Sequence, residues 1–228
     1  MDPKKIAAQE AAKWVEPRTR IGLGAGSTIA YVVDFLADAI DRGLEIEIFT
    51  SSEQTAAVLQ SKKIPVQDTG SAAHLHLYFD GCDQFDHQLN ALKSGGGIHT
   101  SEKLLAAMAD LFVLIGDASK YVPQLDTRFP VVVELLPESQ AFVTRQLNQH
   151  YPEATVTLRR DEYRRPIATT RGNLLADISF KQLPELASIN PLLKSIPGVV
   201  ETSLFYGMAR KAIIAGDDGV KILDRALR

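Results

Sequence analysis

One glycine-rich turn decides the fold: Gly22-Leu23-Gly24-Ala25-Gly26-Ser27-Thr28. The residues from 20 up to this turn predict a short strand, and apolar residues at helical spacing from Ile29 to Ile40 predict a helix after it. Glycines in such a turn let backbone N–H groups approach an anion, and the helix dipole favours negative charge at the same place. We therefore predict a phosphate-binding loop, with an ordinary tight turn as the alternative.

This loop does not match the common nucleotide-binding motifs. Ser27 stands where the dinucleotide fingerprint has its last glycine, and the following strand ends in Thr50 instead of an acidic residue for a ribose. The lysine of a Walker motif is also missing. The sequence therefore predicts an anion site that binds neither a dinucleotide nor a nucleoside triphosphate in the usual way.

The alternation of strands and helices continues outward from the turn. A helix ending at Glu16-Pro17 precedes it, and near-continuous apolar strands follow at residues 45–49, 75–79 and 111–115. Helices predicted between these strands have candidate caps at Ser51 and at Thr100 or Ser101. Buried apolar strands covered by helices indicate an α/β fold, Rossmann-like, with a largely parallel sheet.

The pattern changes after residue 128. The sequence predicts a helix at residues 139–149, a turn at Arg171-Gly172-Asn173, and strands at residues 131–135, 155–158, 167–170 and 174–180. These elements indicate a second, smaller α+β domain, inserted before the carboxy-terminal return to the first sheet. Apolar strands at residues 199–205 and 212–215 would close this domain and rejoin the first sheet. We place the larger domain at residues 1–128 and 206–228, and the smaller one at residues 129–205.

Composition limits the classes of function. The chain has 228 residues, 45% hydrophobic and 23% charged, which is typical of soluble globular proteins. No apolar run approaches the roughly 20 residues of a membrane span, and the first residues lack a signal-peptide core, so we expect a cytoplasmic protein without a membrane partner. The single cysteine, Cys82, excludes an intramolecular disulfide and a thiolate zinc cluster. A net charge of -3 disfavours nucleic acid as a partner.

A second cluster, Asp80-Gly81-Cys82-Asp83, follows a predicted strand. Open α/β sheets bind ligands at this end of their strands, where two carboxylates could hold sugar hydroxyls, a metal or a proton in transit. An Asp-Gly pair is also a common turn, which is the alternative. Asp86 and His87 nearby could complete a metal site, but we interpret them as part of a solvated loop, because their spacing matches no specific metal motif.

A third cluster, Lys93-Ser94-Gly95-Gly96-Gly97, comes shortly before Glu102. Three consecutive glycines carry a large entropic cost, which is best explained by close approach of the backbone to a ligand; a mobile surface loop is the alternative. Glu102 lies at the start of a predicted helix, where a base or a simple helix-terminal acid would both fit. Lys120 follows another strand, and both it and Lys4 could equally be solvated lysines.

In this order, the clusters resemble the A-type ribose-5-phosphate isomerase family over nearly the whole chain. The motifs in the first half are Gly22-x-Gly24-x-Gly26-Ser27-Thr28, Asp80-Gly81-x-Asp83, Lys93-x-Gly95-Gly96, Thr100-x-Glu102-Lys103 and Asp117-x-Ser119-Lys120. Those in the second half are Val133-Glu134-Leu135-Leu136-Pro137, Thr170-x-Gly172-Asn173, Ile196-Pro197-Gly198-Val199-Val200, Leu204-Phe205 and Asp218-Gly219-Val220-Lys221. Each motif is weak alone, but their order and spacing make the resemblance specific.

The resemblance implies an aldose–ketose isomerase that needs no cofactor or metal. It would interconvert ribose 5-phosphate and ribulose 5-phosphate through an enediolate, in the non-oxidative branch of the pentose phosphate pathway. Glu102 matches the general base, Asp80 and Asp83 match the pair that contacts sugar hydroxyls and assists ring opening, and Lys93 matches the cation near the developing oxyanion. The resemblance also implies a homodimer or homotetramer. The substrate-binding residues would be Lys4, Ala25, Gly26, Ser27, Thr28, Gly81, Cys82, Ser94, Gly95, Gly96 and Lys120, with the division of roles between Lys93 and Lys120 left open.

Four positions depart from the usual family pattern. Cys82 and Gln84 stand where the family usually has alanine and glutamate, Ser94 stands where it has glycine, and His99 replaces a small residue. We expect Gln84 to position its loop through hydrogen bonds, because an amide has nearly the shape of a carboxyl group. The alternative is that a charge at this position tunes proton transfer. We expect His99 to be a hydrogen-bonded surface histidine, although it could instead narrow the site.

Other functions use the same type of sheet. An isomerase of a related sugar phosphate and a catalytically weakened sugar-phosphate-binding protein both remain alternatives. A bacterial regulator would need a DNA-binding domain, but only one helix precedes the first strand. A coenzyme A transferase would use its glutamate as a nucleophile and would not need Asp80, Asp83 and Lys93 around it.

Overall fold

The computed structural model describes residues 2–225. Its helices are α1 (Pro3–Ala12), α2 (Ser27–Asp41), α3 (Glu53–Ser61), α4 (His99–Met108), α5 (Gln140–His150) and α6 (Leu186–Ser195). Its strands are β1 (Thr19–Leu23), β2 (Ile46–Thr50), β3 (Val66–Gln67), β4 (Leu75–Asp80), β5 (Gln84–Phe85), β6 (Ala91–Leu92), β7 (Ala109–Asp117), β8 (Val131–Leu135), β9 (Thr155–Leu158), β10 (Leu174–Ser179), β11 (Val199–Thr202), β12 (Leu204–Phe205), β13 (Lys211–Gly216) and β14 (Gly219–Asp224). Met1 and residues 226–228, which the prediction assigned to the larger domain, lie outside the described residues.

The largest sheet confirms the predicted α/β class with a largely parallel sheet. In the part of the chain that the structure describes, it has seven strands in the order β14-β13-β7-β4-β1-β2-β3. The pairs from β13 through β3 are parallel, and β13 pairs with β14 in antiparallel orientation. After β3 the chain returns to the other side of β1 to form β4. Such a reversal of strand order opens a crevice at the carboxyl ends of the strands.

The three central strands bring the predicted loops together. β7, β4 and β1 are neighbours, and their carboxyl ends lead into Lys120, the Asp80–Asp83 cluster and the glycine-rich turn respectively. These strands are held between packed layers, with apolar side chains of α1 and α2 buried on one face. Rigid buried strands below three short loops fix the positions of polar side chains at the sheet edge.

A second sheet is antiparallel, with the order β11-β8-β10-β9. Apolar side chains of α5 and α6 pack on it around the buried residues Val133, Val143 and Leu193. Its strands fall within residues 129–205, whereas β12 pairs with β6 in a separate small sheet that also includes β5. The division into two domains therefore stays a prediction.

Both predicted helix caps are wrong, by one residue at α3 and by two or three residues at α4. Ser52, not Ser51, caps α3, and its hydroxyl accepts a hydrogen bond from the backbone N–H of Thr55 at 3.2 Å. α4 already begins at His99, so neither Thr100 nor Ser101 caps it. The Thr100 hydroxyl donates instead to the Glu134 carboxylate on β8, and the Ser101 hydroxyl accepts a hydrogen bond from the Arg171 guanidinium.

The strand predicted at residues 167–170 is also wrong. Only an isolated bridge joins Ala168 to Leu174, because the chain turns back immediately at Gly172 and β10 pairs with β8 and β9. Sequence patterns also missed α6, which contains Pro191, and the two-residue strands β3, β5 and β6. A two-residue strand carries too few residues to show a period, and a proline within a run is ordinarily a signal against a helix.

Candidate active site

A cavity of about 320 Å³ opens at the carboxyl ends of β1, β4 and β7. Most of the predicted site residues line it, together with four that the sequence analysis did not select. The predicted ones are Lys4, Ala25, Gly26, Ser27, Thr28, Gly81, Cys82, Asp83, Lys93, Gly95, Gly96, Glu102 and Lys120. The four others are Gln54, Ile115, Gly116 and Asp117. Asp80 and Ser94 were predicted as site residues but do not line the cavity.

A buried lysine joins two carboxylates at the centre of this arrangement. Nζ of Lys93 lies 2.8 Å from Oδ2 of Asp80 and 3.3 Å from Oε1 of Glu102, and it donates to the carbonyl oxygen of Gly81 at 2.6 Å. The side chains of Lys93, Asp80 and Glu102 are 7%, 0% and 6% exposed. Lys93 and Glu102 both reach the cavity, whereas Asp80 lies behind them.

Burial and the charges of neighbouring groups change the pKa values of Glu102 and Lys93. Burial, opposed by the charge of Lys93, raises the pKa of Glu102 to about 7. Burial alone would lower the pKa of Lys93, but the nearby Asp80 and Glu102 carboxylates raise it above its ordinary value. Lys93 therefore stays a cation while Glu102 changes between base and acid near neutral pH.

The buried Asp80 carboxylate is held from three sides. Besides Lys93, it accepts hydrogen bonds from the Tyr78 hydroxyl at 2.5 Å and from the backbone N–H of Ala25 at 3.2 Å. A Cβ atom at position 24 would lie 1.9 Å from this carboxyl group, so Gly24 is required by close packing. Sequence analysis missed Tyr78, because an aromatic residue in an apolar strand gives no signal other than that of core packing.

The glycine-rich turn presents the start of α2 to the cavity. Gly26 has φ +101°, a conformation that L side chains rarely adopt, and within residues 2–225 no side chain caps the helix that follows. The first backbone N–H groups of α2 are therefore free to bind an anion. Lys4 donates to the Ser27 hydroxyl at 3.2 Å, and the carbonyl oxygen of Gly24 accepts from Thr55 at 2.7 Å, which anchors the turn on α3.

The turn that carries Lys120 is held by an acidic residue. The Asp117 carboxylate accepts hydrogen bonds from the backbone N–H of Ser119, at 3.1 Å, and from the Ser119 hydroxyl. It thereby caps the one-turn helix Ala118–Lys120. The sequence signal was present in the motif Asp117-x-Ser119-Lys120, although it did not indicate that Asp117 itself lines the cavity.

The glycine loop contacts the second carboxylate of the Asp-Gly cluster. Oδ2 of Asp83 accepts hydrogen bonds from the backbone N–H groups of Ser94, at 2.6 Å, and of Gly95, at 3.0 Å. The Ser94 hydroxyl points away from the cavity and donates to the carbonyl oxygen of Pro130 at 2.6 Å. In this structure the loop backbone therefore lies against Asp83, and Ser94 ties it to the smaller sheet region.

A second buried lysine, to which the sequence analysis gave no role beyond its place in the motif Thr100-x-Glu102-Lys103, fixes the helix that carries Glu102. Nζ of Lys103 donates to the Glu201 carboxylate at 3.0 Å and to the carbonyl oxygens of Thr202 and Leu204 at 2.6 and 3.0 Å. Burial lowers the pKa of Lys103 to about 8. Ser203 lies in the same segment of the chain as these acceptors, and its carbonyl oxygen accepts a hydrogen bond from the backbone N–H of Lys93 at 3.0 Å. One segment therefore holds both Lys93 and the helix that carries Glu102.

Two of the departures from the family pattern are hydrogen-bonding or packing positions. Gln84 is 1% exposed; its amide nitrogen donates to the Asp126 carboxylate at 2.8 Å and its oxygen accepts the Asp126 backbone N–H at 2.9 Å. This exchange agrees with the positional interpretation. Cys82 lines the cavity, and burial raises the pKa of its thiol to about 12, so the thiol is neutral at physiological pH.

Two predictions of surface exposure are wrong. His99 is 1% exposed, because α4 packs against β11. Its Nδ1 atom has no hydrogen-bond partner among residues 2–225. Burial lowers the pKa of His99 to about 4. Asp86 is 3% exposed, and its carboxylate accepts hydrogen bonds from the backbone N–H groups of Gln88 and Asn90, which fold the chain around it in a tight turn. The adjacent His87 is exposed, as predicted for this loop.

The described residues contain neither a candidate metal cluster nor a helix that could span a membrane. Within residues 2–225, no group of three or more His, Cys, Asp or Glu side chains could hold a metal ion. In the same range, every helix is too short or too polar to cross a membrane.

Known proteins resemble this chain over nearly its full length. The family model described as ribose 5-phosphate isomerase A (phosphoriboisomerase A) matches residues 47–219. A ribose-5-phosphate isomerase A from Parvibaculum lavamentivorans is 35% identical over 227 residues, which cover 98% of this chain and 98% of the relative.

Solved structures agree with these sequence matches. A ribose 5-phosphate isomerase A from Methanocaldococcus jannaschii has a TM-score of 0.89 at 30% identity, covering 97% of both chains. A D-ribose-5-phosphate isomerase solved in complex with phospho-erythronic acid has a TM-score of 0.90 at 32% identity, again covering 97% of both chains.

Proposed function

The chain belongs to the ribose 5-phosphate isomerase A family, and we propose that it interconverts ribose 5-phosphate and ribulose 5-phosphate with Glu102 as the general base. The observation that carries this proposal is the buried ion pair between Lys93 and Glu102, which faces a cavity next to an uncapped helix start. A base, a cation and an anion site within one small cavity are the parts that isomerisation of a sugar phosphate requires.

Proton transfer by Glu102 explains the chemistry. In the open-chain aldose, Glu102 removes the proton on C2, the C–H electron pair forms the C1=C2 bond, and negative charge develops on the C1 oxygen. The proton of the C2 hydroxyl then moves to the C1 oxygen, and Glu102 returns its proton to C1 to give the ketose. The Lys93 cation stabilises the charge on the oxygens of the enediolate.

The protonation state of Glu102 suits both halves of this cycle. Its pKa of about 7 makes the carboxylate a stronger base than an exposed glutamate and its acid form ready to return the proton at neutral pH. Lys93 keeps its charge throughout, since its pKa is raised by the same carboxylates. We assign Asp80, which is completely buried, the task of orienting Lys93 and the Ala25 amide.

The substrate is held at its two ends. The first N–H groups of α2 and the hydroxyls of Ser27 and Thr28 bind the phosphate, and Lys4 and Lys120 supply positive charge at the cavity wall. Asp83, beside the glycine loop, accepts hydrogen bonds from sugar hydroxyls and assists ring opening. Lys93 therefore acts at the reacting carbons and Lys120 at the phosphate.

We also propose a cellular location and an oligomeric state. We place the protein in the cytoplasm as a homodimer or homotetramer, which the resemblance implies. Size-exclusion chromatography with light scattering measures the number of subunits. A monomer at micromolar concentration would contradict this part of the proposal.

A direct assay tests the proposed reaction. Purified protein is mixed with ribose 5-phosphate or with free ribose, each with and without EDTA, and ketose formation is followed by absorbance. We expect turnover of ribose 5-phosphate in EDTA, very poor turnover of ribose, and weak competition by inorganic phosphate. Equal turnover of the two sugars would refute the phosphate assignment. Binding of ribose 5-phosphate without turnover would instead identify a sugar-phosphate-binding protein.

A further inference from the structure

An arginine outside the cavity grips the glycine loop from the opposite side to Asp83. Arg159 directly follows β9, and its guanidinium donates to the carbonyl oxygens of Ser94 and, at 3.1 Å, of Gly95. A third bond, from Nε to Oδ1 of Asp177 on β10 at 2.7 Å, holds the guanidinium in place. The side chains of Arg159 and Asp177 are 17% and 27% exposed, so this ion pair is substantially shielded from water.

The loop backbone connects this arginine to a cavity-lining carboxylate. The peptide group between Ser94 and Gly95 accepts from Arg159 at its carbonyl oxygen and donates from its N–H to the Asp83 carboxylate at 3.0 Å. Hydrogen bonds at the two ends of one peptide group polarise each other and strengthen together. A loop with three consecutive glycines has little stiffness of its own, so external contacts must hold it.

We propose that Arg159 is a positioning residue of the active site, acting through the glycine loop to hold the Asp83 carboxylate in place for the sugar hydroxyls. This inference rests on the proposed function, in which Asp83 binds those hydroxyls. Arg159 itself does not line the cavity and touches no reacting atom. Its removal therefore weakens recognition of the sugar but leaves the phosphate end, built on α2, unchanged.

Steady-state kinetics of Arg159→Met provides the main test. The backbone of residue 159 stays bonded to β10 through Leu175, at 2.8 Å, so the strand end is expected to keep its shape. We expect KM for ribose 5-phosphate to rise about tenfold, with kcat within about threefold of wild type and the inhibition constant of inorganic phosphate within about twofold. Arg159→Lys, which keeps the charge but cannot reach both carbonyls, should be intermediate.

The matched control is Arg160→Met. Arg160 is the next residue, is exposed, and donates to the carbonyl oxygen of Arg164 instead of to the glycine loop. Its loss should leave KM unchanged. If Arg159→Met fails to fold, Asp177→Asn, which keeps the side-chain shape but removes the charge that holds Arg159, should raise KM in the same direction by about threefold.

Hydrogen exchange of the peptide that spans residues 94–97 gives a readout independent of turnover. Arg159→Met should speed exchange there by about fivefold or more, and Arg160→Met should not. The proposal is overturned if the two variants share the same KM and exchange rate, or if KM and the phosphate inhibition constant rise together. Absence of wild-type turnover would instead refute the proposed function, and the exchange measurement would still decide whether Arg159 holds the loop.

Discussion

The two ends of the large sheet carry the same types of charged residue but use them differently. At the amino-terminal ends of β1 and β2, Arg20 pairs with Glu47 at 2.9 Å, with 47% and 53% of the side chains exposed. At the carboxyl ends, Lys93 pairs with Asp80 at 2.8 Å with only 7% and 0% exposed. The two distances are nearly equal, so the geometry of the ion pairs does not distinguish the two ends of the sheet. The ends differ in how deeply the paired side chains are buried.

The cavities at the two ends reinforce this difference. The amino-terminal cavity is the larger of the two, at about 450 Å³ against 320 Å³, and is lined by charged residues that include Arg18, Glu45 and Glu47. At the carboxyl end, burial raises the pKa of Glu102 to about 7. Water screens the interaction between exposed charges, whereas a few buried charges interact strongly and shift each other's pKa values.

Removal of the buried carboxylate should have the largest effect. Glu102→Gln keeps the size of the side chain but cannot accept the substrate proton, so kcat should fall by roughly 10² to 10⁴ while substrate still binds. The control is Glu53→Gln, which changes a glutamate in the first turn of α3 that is exposed. Near-normal turnover of Glu102→Gln would remove this residue from the mechanism and with it the contrast between the two ends.

The pH dependence should follow the burial of Glu102. Its pKa is raised to about 7, so the carboxylate becomes protonated and inactive as a base when the pH falls below that value. We expect kcat/KM to decrease by about tenfold for each pH unit below 7 and to level off above it. The measurement is kcat/KM for ribose 5-phosphate between pH 5 and 9. A profile that stays flat down to pH 5 would mean that Glu102 behaves like an exposed glutamate.

A smaller effect is expected at Gln84, which is buried but bonds to the half-exposed Asp126. Gln84→Glu removes the amide donor and places a second carboxylate beside Asp126, whose pKa Arg128 and Gln84 now lower to about 2. The free energy of unfolding should fall by about 1–3 kcal/mol, with kcat/KM changed less than about threefold.

The double variant Gln84→Glu/Asp126→Asn restores a donor and an acceptor and should recover most of that stability. Urea denaturation of the single and double variants measures it. If the single variant instead gains activity a hundredfold, the positional interpretation of Gln84 is wrong and the chain is a weakened isomerase.

The smallest effect should come from the amino-terminal pair. Glu47→Gln removes one charge of an exposed ion pair, which typically contributes at most about 1 kcal/mol. We expect thermal unfolding to change little and kcat/KM to stay the same. A loss of activity comparable to that of the Glu102 variant would show that the amino-terminal end of the sheet has a function of its own.

Much of the site was predictable because the loops follow buried strands. The apolar runs before Gly24, Gly81 and Lys120 show a strand pattern, and the carboxyl ends of parallel strands meet at one edge. Glu102 and Lys93 were found from the motifs around them. Their ion pair was not predictable, since it joins Lys93, in a loop, to Glu102, in the first turn of α4, and their separation depends on how α4 packs.

Positioning residues were the ones that sequence analysis missed. Tyr78 lies in an apolar strand run, Lys103 was named only as part of a motif and given no role, and Arg159 lies in a charged segment outside every recognised motif. We predicted His99 to lie at the surface and Asp86 to lie in a solvated loop, yet both are buried. Their positions depend on partners distant in sequence or on a tight local turn.

By itself, the sequence determined the fold class, the alternation of strands and helices around the glycine-rich turn, and the residue types available at the carboxyl edge of the sheet. Periodicity and turn chemistry are local properties, so a single sequence reveals them. Only the tertiary structure decided that Lys93 lies between Asp80 and Glu102, that Asp80 is hidden from the cavity, and that Arg159 reaches the glycine loop. Burial and charge coupling arise when segments about 10 to 100 residues apart pack together, and no local pattern encodes the resulting distances.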